Sequence, residues 1–229
     1  MIITERKPIE EILEMVKDEK KIFLIGCGEC ATTCGTGGEC EVKEMLEALQ
    51  KEDKAITGWV IPQAPCVASQ SAVAFAKNIK PLKESDSVLC LMCGLGVQTV
   101  KENLRFDKPV HPALNTTFMG GLTKAGSFYE YCSACSDCVL DWTGCICPIT
   151  RCPKNMLNGP CGGMEKGKCE VDRDKDCAWV LIYEELKRTN KLDNLRKIRE
   201  YKDWSKTTKP HTLIPSGKEK PAAQAPSKQ

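Results

Sequence analysis

Sixteen cysteines, set against only two histidines, are the residues of this chain that could do chemistry. Nine lie between Cys132 and Cys177: Cys132-x2-Cys135-x2-Cys138, then Cys145, Cys147, Cys152, Cys161, Cys169 and Cys177. A tighter set, Cys27-x2-Cys30-x3-Cys34, sits in a glycine-rich stretch near the N-terminus. Many thiols with few imidazoles point to all-thiolate metal sites, and the short spacings suit iron–sulfur clusters or tetrahedral zinc. Cys132, Cys135 and Cys138 have the spacing of the first three ligands of a ferredoxin-type site, whose fourth ligand is a Cys followed by Pro. Both Cys147-Pro148 and Cys152-Pro153 meet that description. Eight cysteines (132, 135, 138, 147, 152, 161, 169 and 177) make two four-ligand sites, and spacing alone leaves the grouping open. A structural zinc ribbon is the alternative for either site. Singletons such as Cys40 and Cys90 read as small buried hydrophobes.

Other chemistries find little support. No Ser/His/Asp or Cys/His set and no paired acid and base carboxylates can be assembled, so a part in catalysis means moving electrons or supporting a partner. Gly26-Cys-Gly28-Glu-Cys-Ala31 fits a dinucleotide fingerprint after an apolar run. Two features weaken that reading: the next helix is expected near Glu39, and the following strand ends Val60-Ile-Pro-Gln63 with no acid for a ribose. Gly26, Gly28, Gly35, Gly37 and Gly38 instead suit a loop folded tightly around a cluster, offering N–H groups to its sulfurs. The net charge of +2 argues against nucleic acid or an anionic membrane as partner. The start lacks the apolar run of a signal peptide. The charge-free stretch 55–76 is interrupted by Gly58, Pro62 and Pro65, so membrane insertion is not expected. A cytoplasmic location with reduced thiols follows as the expectation. His111 reads as a satisfied polar residue, and Trp142, Trp179 and Trp204 as packing anchors.

The elements that must position the thiols can be read from apolar periodicity. Helices are expected at Pro8–Lys20, Glu39–Lys51, Ser69–Ile79 and Gly96–Leu104, and strands at Ile22–Ile25, Ile56–Ile61, Ser87–Met92 and Pro109–Ala113. The alternation predicts an α/β fold with a small doubly wound, flavodoxin-like parallel sheet over residues 1–125. Ligands of such sheets bind at the carboxyl ends of the strands. Cys27, Cys30 and Cys34 follow the first strand, Cys66 the second and Cys93 the third. Residues 126–204 are expected to form a cysteine-rich metal-binding domain, irregular to Cys177 and poor in core. A helix is expected over Ala178–Lys202, broken near Asn190. The Lys/Pro/Ala/Ser-rich stretch 205–229 reads as a disordered tail.

Several runs carry a family resemblance: Ile25-Gly-Cys-Gly-Glu-Cys-Ala-Thr-Thr-Cys34, Cys132-Ser-Ala-Cys-Ser-Asp-Cys138, Cys147-Pro-Ile-Thr-Arg-Cys-Pro153 and Leu157-Asn-Gly-Pro-Cys-Gly-Gly163, with Gly167-Lys-Cys-Glu-Val171 and Lys202-Asp-Trp-Ser205. Over about residues 5–205 the chain resembles the methylenetetrahydrofolate reductase C-terminal domain family, and within it the MetV-type small subunits of acetogenic bacteria. The resemblance implies an iron–sulfur, sometimes zinc-binding, subunit. It would pass electrons from a donor protein (ferredoxin, or an NADH-oxidising or hydrogenase/heterodisulfide-reductase-type subunit) to the flavin of a MetF-type partner. That partner reduces methylene-tetrahydrofolate to methyl-tetrahydrofolate in the Wood–Ljungdahl pathway. Cys145 departs from the pattern, which carries Gly before Ile-Cys-Pro, and so is set aside as a ligand. The expectation is at least two 4Fe–4S clusters. One would sit on Cys27, Cys30, Cys34 and Cys93, with Cys66 as substitute, and another on Cys132, Cys135, Cys138 and Cys147. Cys152, Cys161, Cys169 and Cys177 would hold a third cluster or zinc. A zinc-only docking subunit and a zinc-thiolate methyl acceptor are the alternatives.

Overall fold

The structure, a computed structural model, describes residues 1–216. The chain divides into two compact units, Met1–Tyr131 and Cys132 onward. In chain order the first unit contains β1 (Ile2–Arg6), α1 (Ile9–Met15), β2 (Lys21–Ile25), α2 (Cys30–Thr33), α3 (Glu39–Lys51), β3 (Ala55–Val60), α4 (Ala68–Lys77), α5 (Ile79–Glu84), β4 (Ser87–Cys90), α6 (Gly94–Asn103), β5 (Val110–Pro112), β6 (Leu114–Leu122) and β7 (Phe128–Cys132).

Strands β2 to β5 form a parallel sheet in the order β3-β2-β4-β5. Ile22, Phe23, Leu24 and Ile25 are all fully buried, as a strand covered on both faces requires. Alternation along the strand divides them. Ile22 and Leu24 pack with Ile12, Val16, Val42 and Leu49 of the α1/α3 layer. Phe23 and Ile25 pack with Ala74, Phe75, Leu82 and Val100 of the α4/α5/α6 layer. The expected parallel α/β sheet is therefore present, with helices on both faces.

A second sheet was not read from the sequence. β1 lies antiparallel on β6, and β7 completes the order β1-β6-β7. The short, largely polar β1 and the exposed β7 carry too little apolar alternation to announce themselves. β5 passes into β6 through Ala113 alone. The Ala113 N–H donates to the Cys90 carbonyl, and its own carbonyl accepts from the Lys7 N–H. The β6–β7 hairpin, turning through Gly126 at φ 81°, places residues 126–131 in a regular strand of the first unit rather than in an irregular segment. Helix α1 ends at Met15, short of the expected Lys20, because the Lys54 ammonium takes the Val16, Lys17 and Glu19 carbonyls.

The second unit contains α7 (Pro148–Arg151), α8 (Ala178–Arg188) and 3-10 turns at Leu192–Arg196 and Trp204–Thr207. Trp142 and Trp179 meet edge to face at 5.9 Å and 73°. Their indole N–H groups donate to Asn194 and Met156 carbonyls, both at 2.9 Å. Ile146, Ile182, Leu186, Leu192 and Leu195 complete a small core. The helix expected to run to Lys202 stops at Arg188. Asn190 is left-handed at φ 54°, and 197–203 is irregular. Of the expected tail, Trp204–Thr207 is a 3-10 turn, and 217–229 lies outside the described residues. Among the described residues no helix is long and apolar enough to cross a membrane.

Gly37 is where the loop after β2 meets the exit of β4. A Cβ there would run into the Leu91 carbonyl and the Ala31 methyl. Gly37→Ala is expected to lower stability by about 1–3 kcal/mol, as overpacking against backbone does. The urea midpoint of the full chain checks this, and an unchanged midpoint contradicts it.

Candidate metal centres

The connections of β2 and β4 leave these neighbouring strands in opposite directions, which makes their carboxyl ends the switch point of the sheet. Cys27 lies two residues after β2, and its N–H donates to the Gly37 carbonyl at 2.9 Å. The chain then makes one helical turn, α2, starting at Cys30. A helix thus begins inside the glycine motif, contrary to expectation, but it ends by Cys34 and is not the long helix a pyrophosphate site uses. Cys93 precedes α6 in the capping position. The positive end of a helix suits the negative charge of a thiolate-bound metal.

Burial pushes the Cys27 thiol up, the Ala31 and Glu29 amides that donate to its sulfur draw it down, and the nearby Cys30 and Cys93 thiols push it up again. The Ile2 N–H donates to Cys30 Sγ at 3.4 Å, while Cys34 Sγ lies 3.8 Å from the Ile2 carbonyl. Cys27, Cys30, Cys34 and Cys93 are thus gathered around one corner of the sheet edge. Cys66 is exposed on the loop after β3, and no hydrogen bond among the described residues ties it to the other four. The loop is held by a buried contact between the Thr4 and Thr36 hydroxyls at 2.7 Å. The Thr32 hydroxyl donates to the Cys27 carbonyl at 2.6 Å, and Gln63 donates to Glu29 at 2.6 Å. These partners are distant in sequence and left no local signal.

In the second unit, Cys132, Cys135 and Cys138 lie on a loop in which Ala134 and Ser136 are both left-handed, at φ 52° and 62°. Such alternation turns backbone N–H groups toward a common concavity. The Ala134 N–H donates to Cys132 Sγ at 3.3 Å. Cys147 caps α7, and no hydrogen bond among the described residues joins it to that loop. Cys152, Cys161, Cys169 and Cys177 line one small cavity, together with Glu170 and Trp179. Cys161 Sγ stands 3.5 Å from Glu170 Oε1, and Glu170 pairs with Lys154. Cys177 caps α8.

All sixteen cysteines are free thiols. Among the described residues no three His, Cys, Asp or Glu side chains stand in metal-ligating geometry. What the structure provides is convergence of loops rather than finished coordination. The donor chemistry still fits a thiolate-bound metal at the sheet edge, with sulfurs close enough to influence one another and the N–H groups of Ile2, Glu29 and Ala31 aimed at them.

Other residues depart from expectation or meet it. Cys90 is fully buried and its thiol is pushed far up by desolvation, whereas Cys40 is exposed on α3 and is no core residue. His111 is satisfied by Glu19 at 3.3 Å. Trp204 is 49 % exposed, with the Lys202 ammonium 5.2 Å from its ring centre, so it anchors no core.

Missed altogether was a clasp on the first cysteine loop. The Arg199 guanidinium lies 3.4 Å from Asp137, and the Lys202 ammonium donates to the Asp137 carbonyl at 2.7 Å. Burial works against the Asp137 carboxylate, but the Arg199 hydrogen bond and the charges of Lys202, Arg199 and Lys206 outweigh it and hold the carboxyl below its ordinary range.

Cys145 is exposed and left-handed at φ 64°. A side chain there costs about 1–2 kcal/mol, partly offset by the entropy glycine loses on folding. Cys145→Gly is expected to raise stability by about 0.5–1 kcal/mol and leave metal content unchanged, as urea unfolding and elemental analysis would show. Loss of metal would make Cys145 a ligand after all.

No curated protein and no solved structure matches the chain. Residues 111–205 match the family model described as methylene-tetrahydrofolate reductase C terminal. From β5 through the first residues of the last 3-10 turn, and so through every cysteine from Cys132 to Cys177, the chain carries a domain related to the C-terminal part of that reductase.

Proposed function

We propose that this chain is the electron-transfer subunit of a cytoplasmic methylenetetrahydrofolate reductase complex. It accepts electrons from a donor protein and delivers them to the flavin of a MetF-type subunit. There methylene-tetrahydrofolate gains a pair of electrons and a pair of protons to become methyl-tetrahydrofolate. The observation that carries this reading is the gathering of Cys27, Cys30 and Cys93 at the switch point of a parallel sheet, in a chain that also carries the reductase-related domain.

When bound, an iron–sulfur cluster supplies one-electron storage without proton chemistry of its own. The chain's residues do the rest. Cys27, Cys30, Cys34 and Cys93 hold the group. The Ile2, Glu29 and Ala31 amides offset charge on sulfur, and the burial of Cys27 and Cys93, 6 % and 7 % exposed, keeps water from that side. The tight cavity of Cys152, Cys161, Cys169 and Cys177 favours a second, structural role there, with a single zinc ion closing the loops before α8.

Iron, zinc and acid-labile sulfide measured per chain after anaerobic purification test this directly. The expected result is a brown protein with iron and sulfide in equal amounts. A colourless chain holding only zinc overturns the electron-transfer reading. Cys30→Ser is expected to remove one cluster signal and to slow donor-driven turnover of the complex, while the partner keeps its flavin. Undiminished turnover takes the sheet-edge site off the electron path.

A further inference from the structure

Lys202 is the most deeply buried charged residue of the second unit: its side chain is fully covered. A buried ammonium is unstable without a compensating anion. The anion at hand is Asp137, whose carboxylate lies 3.9 Å from the Lys202 ammonium, but Asp137 already serves the Arg199 guanidinium at 3.4 Å. Two cations share one carboxylate, and positive charge is left over.

That surplus sits inside the first cysteine loop. Asp137 lies between Cys135 and Cys138. The Asp137 carbonyl oxygen accepts the Lys202 ammonium at 2.7 Å, and Cys135 Sγ lies 4.0 Å from the same oxygen. Ammonium and sulfur are thus two contacts apart. The arrangement is held from outside as well. The Asn158 side chain accepts from the Arg199 N–H at 2.8 Å and donates to the Arg199 carbonyl at 3.1 Å, which pins the strand-like segment carrying Arg199 and Lys202. The Trp204 ring covers the ammonium.

We infer that Lys202 is the built-in countercharge of the metal–thiolate centre on Cys132, Cys135 and Cys138. A metal bound by several thiolates carries net negative charge, and that charge is what the Lys202–Arg199 pair lacks. The inference rests on the reading that this loop binds a metal. Its consequence is that Lys202, though no ligand, controls how firmly the centre is held and how readily it accepts an electron. Fixed positive charge favours the more negative, reduced state.

The test uses the full chain, purified anaerobically with its metals. Alkylation by iodoacetamide is followed cysteine by cysteine with mass spectrometry, beside a redox titration of the cluster signals. Lys202→Met keeps the stem and removes the charge. It is expected to speed labelling of Cys135 and Cys138 by on the order of 10- to 100-fold, the usual cost of an outer-shell partner. A cluster signal, where present, should move to lower potential. Lys202→Arg, which keeps the charge, should restore both. Where Lys202→Met fails to fold, Arg199→Gln removes the other, partly exposed cation and should speed labelling in the same direction. Equal protection and equal potential in wild type and Lys202→Met, or unchanged labelling in Arg199→Gln, overturns the countercharge while leaving the metal reading intact. Wild-type Cys132, Cys135 and Cys138 that label freely overturn the metal reading and the countercharge together.

Discussion

Sulfurs brought close together resist ionising, because each thiolate that forms meets the charge of its neighbours. A protein that gathers cysteines must therefore hold them by means other than their own attraction. Here the parallel sheet does so. β2 and β4 lie side by side with their side chains locked into two apolar layers, so the loops leaving them are fixed at their roots. Gly37 then lets one loop rest on the backbone of the other. Cys27 is raised by burial and by Cys30 and Cys93, the cost expected of thiols assembled with no cation among them.

The second unit solves the same problem with less material. Its core is a pair of tryptophans and the inner face of α8, with both indole N–H groups tied to backbone carbonyls. That cluster fixes the start of α8, and Cys177 stands there as the cap. Cys147 caps α7 and Cys93 caps α6 in the same manner. Each cysteine group assigned from the sequence therefore has one member at the start of a helix, where the partial positive charge of unpaired N–H groups lies.

Much of the first unit was legible because continuous apolar runs such as Ile22–Ile25 and Ser87–Cys90 are what a doubly covered strand must look like. Helix α3 was readable from end to end, since Val42, Met45, Leu46 and Leu49 repeat at helical spacing between a glycine and a basic last turn. The antiparallel sheet was not legible: β1 is half polar and gains its place from backbone pairing with β6, more than a hundred residues away. The left-handed turn at Asn190 hides equally well, because lysines and leucines on both sides suit a helix. For the cysteines, spacing marked every candidate but not its company. Ile2, Thr4 and Thr36 support the first group, and Asn158, Arg199 and Lys202 brace the loop of the second. All do so through contacts that no local pattern records.

The junction at Ala113 bears on how such a chain can be cut and joined. The stretch shared with the reductase family begins at residue 111, inside β5, yet β5 pairs with β4 and β6 pairs with β1, and both partners lie outside that stretch. The unit of sequence kinship is therefore not a unit of folding. A gene fusion that transplanted only residues 111–205 would carry two unpaired strand edges, while a seam at Cys132 would part the chain between its compact halves. Rearrangements that keep this domain working must bring β1 and β4 along, or supply substitutes for them.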